Sequence, residues 1–186
     1  MTQVEHTSST TTLLQTIRYR LRQVRQQLGD APPLSENDYT EVRRWLPATC
    51  LPLFATMSHA DQQHSLRVCR GLQAQGCQDA DMLAAALLHD VGKAQGRVPF
   101  WTRPAIVLGK TLAPRLLTRL VFPLKDLHEQ LRPRWRRSLS YAWWHAEVGA
   151  ELAATAGLSR RAVLYIRTHH QSDGPASQLH LVDEVS

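Results

Sequence analysis

The sequence predicts an all-α protein, and three observations predict it. Apolar residues recur every three or four positions through most readable segments. Capping residues precede those segments, and glycine or proline follows them. No segment alternates convincingly at the two-residue period of a strand. At 186 residues the chain is long enough for one domain with its own core and too short for two ordinary ones.

Taken in order, Leu14, Ile17, Leu21, Val24 and Leu28 with Arg18, Arg22 and Arg25 between them predict an amphipathic helix closed by Gly29 and Pro32-Pro33. Ser35 is a good N-cap for a second helix through Tyr39, Val42 and Leu46, which Pro47 ends. A short apolar stretch, Leu51 to Met57, follows. Leu66, Cys69 and Leu72 mark one face of a third helix that Asp61 can cap and Gly76 can stop. Asp79 opens a segment that is apolar on nearly every side from Met82 to Leu88, so it reads as the central buried helix, with His89 and Asp90 at its far end. A helix from about Ser138 to Ala156 stops at Gly157, another opens at Ser159 and carries His169 and His170, and a last one spans Gln178 to Val185.

Between Ala94 and Arg137, Pro99, Pro104, Pro114, Pro123 and Pro133 interrupt short apolar runs, so helices there are expected to be short. This stretch reads as an insertion beside the site, suited to a lid or a membrane-surface face. The net charge of +6 is concentrated here: Lys110, Arg115, Arg119, Lys125, Arg132, Arg134, Arg136 and Arg137 face only Asp126 and Glu129. Such an excess either is a solvated helical face or attracts nucleotide, nucleic acid or an acidic membrane. Domain organisation is thus a tail and amphipathic helix over residues 1–36 and a metal-binding domain over 37–186, with 94–137 as the basic insertion or lid. The first helix is also a candidate for dimerisation.

Cys50, Cys69 and Cys77 form neither a CxxC pair nor a zinc ribbon, which suggests reduced thiols and a cytoplasmic location. Met1 to Thr12 carries no charged region leading into an apolar run, so no secretion signal is expected. No uncharged apolar run approaches the ~20 residues of a membrane span.

The chemistry is concentrated in His89-Asp90-Val91-Gly92-Lys93, with His64 upstream and His145, His169, His170 and Asp183 downstream. Imidazole suits Zn, Fe or Ni, while carboxylate suits Mg or Mn, so a mixed set points to one or two divalent ions and a metal-activated water. His89 and Asp90, neighbours on a helix about 100° apart, can reach one metal or let Asp90 bridge two. Lys93 shares their face and places an ammonium within reach of a bound phosphate. Gly92 keeps that approach open and can end the helix. His64 and Asp183 complete a first coordination sphere, and His145 with His169 or His170 supplies a second. His6, His59, His128 and His180 read as surface or hydrogen-bonded residues, and Trp143 and Trp144 as core or pocket wall.

With those residues placed, the chain from about Asp61 to Asp183 resembles the HD-domain metal-dependent phosphohydrolase superfamily, an all-helical bundle with a His, His-Asp, late Asp pattern. His64, His89, Asp90 and Asp183 fall on the four superfamily ligands, and Leu87 to Lys93 looks like the HDIG-type subgroup. His145, His169 and His170 are similar to the extra histidines of two-metal HD-GYP-like members, which implies a dinuclear site. Pro175-Ala176-Ser177 stands where those members have their Gly-Tyr-Pro element, so cyclic-di-GMP is not supported as substrate.

The expected activity is hydrolysis of a phosphoester or phosphoanhydride in a nucleotide-like substrate, with Asp90 and Lys93 as catalytic residues. The alternative is a sensor or regulatory module that binds a nucleotide or partner protein without turnover. No Gly-x-Ser-x-Gly elbow, Walker loop or Gly-x-Gly-x-x-Gly competes with either reading.

Overall fold

Ser35 starts the first helix of the computed structural model, which describes residues 31–96, 98, 102–127 and 133–186. The Leu14 to Leu28 pattern, His6 and His128 lie outside the described residues. Every regular element among the described residues is a helix. In α1 (Glu36–Trp45) the Ser35 hydroxyl accepts from the Asp38 N–H at 3.2 Å and the Asp38 carboxylate accepts from the Ser35 N–H at 3.0 Å, a reciprocal cap. The Ser35 hydroxyl and then Arg70 hold the Asp38 carboxyl down at about 2. Arg70 of α3 (His59–Ala74) reaches Asp38 at 2.6 Å, tying the two helices together.

Between them a 3-10 turn, Ala48–Cys50, leads into α2 (Leu51–Ala55). The cap of α3 is Ser58, not Asp61: the Ser58 hydroxyl accepts from the Asp61 N–H at 3.1 Å and donates to the Asp61 carboxylate at 2.7 Å. Asp61 therefore sits three positions inside, where a carboxylate supports the cap rather than providing it. Gly76 ends the turn after α3 with φ 84°, a left-handed conformation that glycine adopts without steric cost.

Asp79 caps α4 (Ala80–Leu88) through the Asp81 N–H at 3.0 Å, and every residue from Met82 to Leu88 is buried. An apolar helix of this kind has no polar face for water, so it forms the axis against which α1, α3 and α9 (Arg160–Thr168) pack. The helix ends at Leu88; His89 caps it and leads into a turn through Asp90 and Val91. Gly92 then opens a new helix, α5 (Gly92–Gly96), instead of stopping the old one.

The longest helix among the described residues, α8 (Arg134–Thr155), begins after Pro133, about a turn before the apolar pattern announces it. Ser159 caps α9, whose last residue is Thr168, so His169 and His170 stand on the turn beyond it rather than on the helix. The final helix, α10 (Ser177–Val185), buries Leu179 and Val182 against α3.

One large core runs through α1, α3, α4, α9 and α10. Residues 102–127 form α6 (Thr102–Leu112), α7 (Pro114–Leu120) and a 3-10 turn, Leu124–Asp126. They are docked on α8 by two smaller clusters, one of Leu117, Val121 and Leu139, the other of Leu127, Tyr141 and Val148. Trp144 donates to the Phe122 carbonyl at 2.8 Å and packs in both clusters, while Trp143 packs in the first, a structural role for the pair. Cys50, Cys69 and Cys77 are all free thiols. No helix of the described residues is long and apolar enough to cross a membrane.

Candidate metal centre

Two close approaches of backbone bring the chemistry together. A Cβ on Gly92 would overlap the His145 carbonyl and lie 2.8 Å from the Gly149 nitrogen, so the start of α5 touches α8 only because neither glycine has a side chain. That contact sets Asp90 and Lys93 beside His145. On the other flank a Cβ on Gly71 would stand 2.6 Å from a Val182 methyl, which lets α3 lie close to α10 and carries His64 to Asp183.

The result is that His64, His89, Asp90, Lys93, His145, His169, His170 and Asp183, contributed by six parts of the chain, converge. His64 Nε2 lies 2.8 Å from Asp183 Oδ1 and 4.0 Å from Asp90 Oδ2. His89 Nε2 is 3.5 Å from both Asp90 Oδ2 and Asp183 Oδ1. The other oxygen of Asp90, Oδ1, faces His145 Nε2 at 3.4 Å. His145 Nε2 is in turn 3.0 Å from His170 Nε2. The His169 ring lies between the groups, with centroids 5.1 Å from His89 and 5.3 Å from His145. Lys93 is ion-paired to Asp90 Oδ2.

Three of the imidazoles have their orientation fixed in the same way. Nδ1 of His89 hydrogen-bonds the Ala86 carbonyl at 2.8 Å, Nδ1 of His145 the Ala142 carbonyl at 2.7 Å, and Nδ1 of His169 the Ile166 carbonyl at 2.7 Å. A carbonyl only accepts, so in each ring Nδ1 carries the proton and, when the ring is neutral, Nε2 presents a lone pair. These lone pairs point inward. Nε2 of His89 and of His169 is buried with no hydrogen-bond partner, a costly condition for a polar atom in a protein interior.

The charges are separated correspondingly. Burial, and then the Lys93 ammonium, pushes the His145 imidazole down to about 3. Burial brings His170 down to about 4, and holds His169 well below the ordinary range, with His89 and His170 adding to the effect. At neutral pH these three rings are neutral. Burial also disfavours charge on His89, but Asp90 and Asp183 outweigh it and raise that imidazole. For Asp90 burial is opposed by Lys93 and His89, and for Asp183 by the hydrogen bond from His64 and by the His89 imidazole 3.5 Å away; both stay ionised well below the usual carboxylate range.

This donor set suits a metal ion. His64, His89 and Asp90 form one group and His145, His169 and His170 another, the donor atoms of each lying within 4.8 Å of one another. Bonds of about 2.1 Å at roughly tetrahedral angles put neighbouring donors about 3.4 Å apart, close to the separations around Asp90. The buried, pre-oriented imidazoles of His89, His145 and His169, with His64, the exposed His170 and the ionised Asp90 and Asp183 beside them, can hold a metal ion, and the two oxygens of Asp90 face different groups.

The sequence located all eight of these residues; it did not reveal the carbonyls of Ala86, Ala142 and Ile166 that orient the rings. The signal was present, since a histidine on a helix or just beyond its end has the carbonyl three residues back within reach. Of the histidines read as surface or hydrogen-bonded residues, His59 is exposed and His180 pairs with Glu184 at 3.6 Å. Compared with models of known protein families, with curated proteins and with solved structures, the chain matches none of them.

Proposed function

We propose that this protein is a cytoplasmic metal-dependent phosphohydrolase of the HD-domain type, acting on a phosphoester or phosphoanhydride of a nucleotide-like substrate. The observation that carries this reading is the division of Asp90, one oxygen toward His64 and His89 and the other toward His145. A carboxylate so placed suits a pair of ions. His64, His89, Asp90 and Asp183 would hold one, and Asp90, His145, His169 and His170 the other. Bound divalent metal supplies Lewis acidity and an activated water to phosphorus.

The protein's own groups do the rest. The Nδ1 bonds to Ala86, Ala142 and Ile166 keep three lone pairs aimed inward, which raises ligand basicity and preserves the tautomer. Asp90 fixes the position of the nucleophile, and Lys93, on the same carboxylate, offers its ammonium to a phosphoryl oxygen as negative charge builds there. The apolar helix α4 and the buried face of α9 limit water around these groups, so each charge acts in a medium less polarisable than bulk solvent.

The test is to purify the full chain without added metal, measure metal identity and stoichiometry, and assay it with Mn, Fe, Ni, Zn and Mg against an aryl phosphate ester and a nucleotide panel. Turnover that Asp90→Ala reduces by about a hundredfold or more is expected. Full activity in folded Asp90→Ala protein removes the proposal, and tight nucleotide binding without turnover replaces it with a sensor.

A further inference from the structure

The basic excess around α6, α7 and the start of α8 separates into two parts. Arg136 is structural: its guanidinium donates to the carbonyls of Leu120 at 3.0 Å and Arg119 at 2.9 Å and lies over the Phe122 ring at 4.3 Å. Arg115, Arg119 and Arg134 are exposed instead. From Thr102 to Leu127 and from Pro133 to Arg137, Asp126 is the one acidic residue.

The same face is apolar where a surface is ordinarily polar. Leu108 is 56% exposed, Leu112 76%, Leu116 56% and Trp135 49%. Leu108 and Leu112 are one helical turn apart and adjoin the Ala105 and Gly109 strip of α6. That strip lines a shallow apolar groove closed by Leu116 and Leu120 of α7 and by Trp135. Arg115 and Arg119, also a turn apart, flank the leucines of α7, and Arg134 precedes the tryptophan. The arrangement is an apolar patch, an amphipathic aromatic ring at its edge and a cationic rim.

We propose that this face docks on an anionic lipid bilayer, with Leu108, Leu112 and Leu116 entering the acyl boundary, Trp135 at the headgroup level and the arginines on the lipid phosphates. Nucleic acid satisfies the rim but offers no apolar phase for three leucine tips. A second copy packed through the same patch would set cationic rim against cationic rim. The amphipathic segment from Leu14 to Leu28 carries Arg18, Arg20, Arg22 and Arg25 and no acid, so its charge repels this face as well. An anionic bilayer satisfies both the apolar and the charged features. Trp135 and His145 lie on one helix ten residues apart, so about 15 Å of α8 separates the docked indole from the histidine cluster.

The experiment is co-sedimentation of the full chain with vesicles of phosphatidylcholine alone and of phosphatidylcholine with phosphatidylglycerol. Binding roughly tenfold or more stronger to the anionic vesicles is expected, falling with salt. The double variants Leu112→Ser/Leu116→Ser and Arg115→Glu/Arg119→Glu should each weaken it by roughly tenfold, with helical content and metal content unchanged. Equal binding to both vesicle types, or to neither, overturns the proposal. So does a concentration-dependent dimer that the leucine variant dissolves, or RNA binding that it leaves intact while vesicle binding is absent. Neither variant touches the histidine cluster, so failure here leaves the phosphohydrolase reading to its own test.

Discussion

At the scale of single residues, the centre is defined by which protons are where. His145 and His170 titrate at about 3 and about 4 in the folded chain because burial disfavours their charged forms, against about 6.5 when unfolded. Between those values the unfolded chain binds protons that the folded one does not. Their contribution to stability is therefore complete above about pH 6.5 and is lost as pH falls toward about 3. His89, raised by Asp90 and Asp183, works in the opposite sense: its contribution is present below the unfolded value and is lost as pH rises through its folded value. With His145, His169 and His170 all lowered, the metal-free protein should lose stability in acid. Urea midpoints measured from about pH 7.5 to about pH 4.5 should fall; a flat profile contradicts the burial argument. At the same scale, His169→Ala removes an orphaned Nε2 that no protein group satisfies. It should reduce metal affinity by tenfold or more, in the range of ~10–100-fold, as read by competition with a chelator, while leaving the helical spectrum intact.

Elements place those residues, and the decisive contacts are between backbones. The α5–α8 approach leaves no room at Gly92, because the neighbours of a new Cβ are the main chain of His145 and Gly149, which cannot rotate away. Gly92→Ala should cost ~1–3 kcal/mol by overpacking and should lower metal stoichiometry, since α5 carries Lys93 and follows Asp90 directly. Gly71→Ala meets a Val182 methyl instead, a side-chain end that can give way, and its cost should be the smaller of the two. Urea denaturation of both variants measures the order. At the start of α3, Ser58→Ala removes the hydroxyl that accepts from the Asp61 N–H, and a loss of about 1 kcal/mol is expected; that helix carries His64 but does not depend on it.

Over the whole molecule, the proposed ions would join α3, the turn after α4, α8, the turn after α9 and α10, parts far apart in the chain. Anything bound only by the folded state stabilises it, by about 2.7 kcal/mol at a hundred times Kd. For a domain of this size each kcal/mol moves Tm by about 2–4 °C. Chelation followed by calorimetry should thus lower Tm by roughly 5–10 °C, and re-addition of the ion should restore it. No shift on chelation would falsify the stapling role while leaving the helical packing unaffected.

How much of this was written in the sequence follows from the range of the forces. Helix existence is local: Ser35, Asp79 and Ser159 cap where the residue types say they should, and the uniformly apolar stretch from Met82 to Leu88 has nowhere to go but the centre. The eight site residues were legible because their side-chain chemistry and order are distinctive. Boundaries were less so. Asp61 and Ser58 compete for one cap within three residues, and α4 ends at Leu88 with His89 as its cap while Gly92 opens α5 against α8 instead of stopping α4. Only the tertiary structure decided that Asp90 turns its two oxygens to different histidines, that Nε2 of His89 and His169 is buried without a partner, and that Arg136 is structural while Arg115 and Arg134 face outward. Those outcomes depend on contacts between residues tens of positions apart, whose geometry a linear pattern of residue types does not contain.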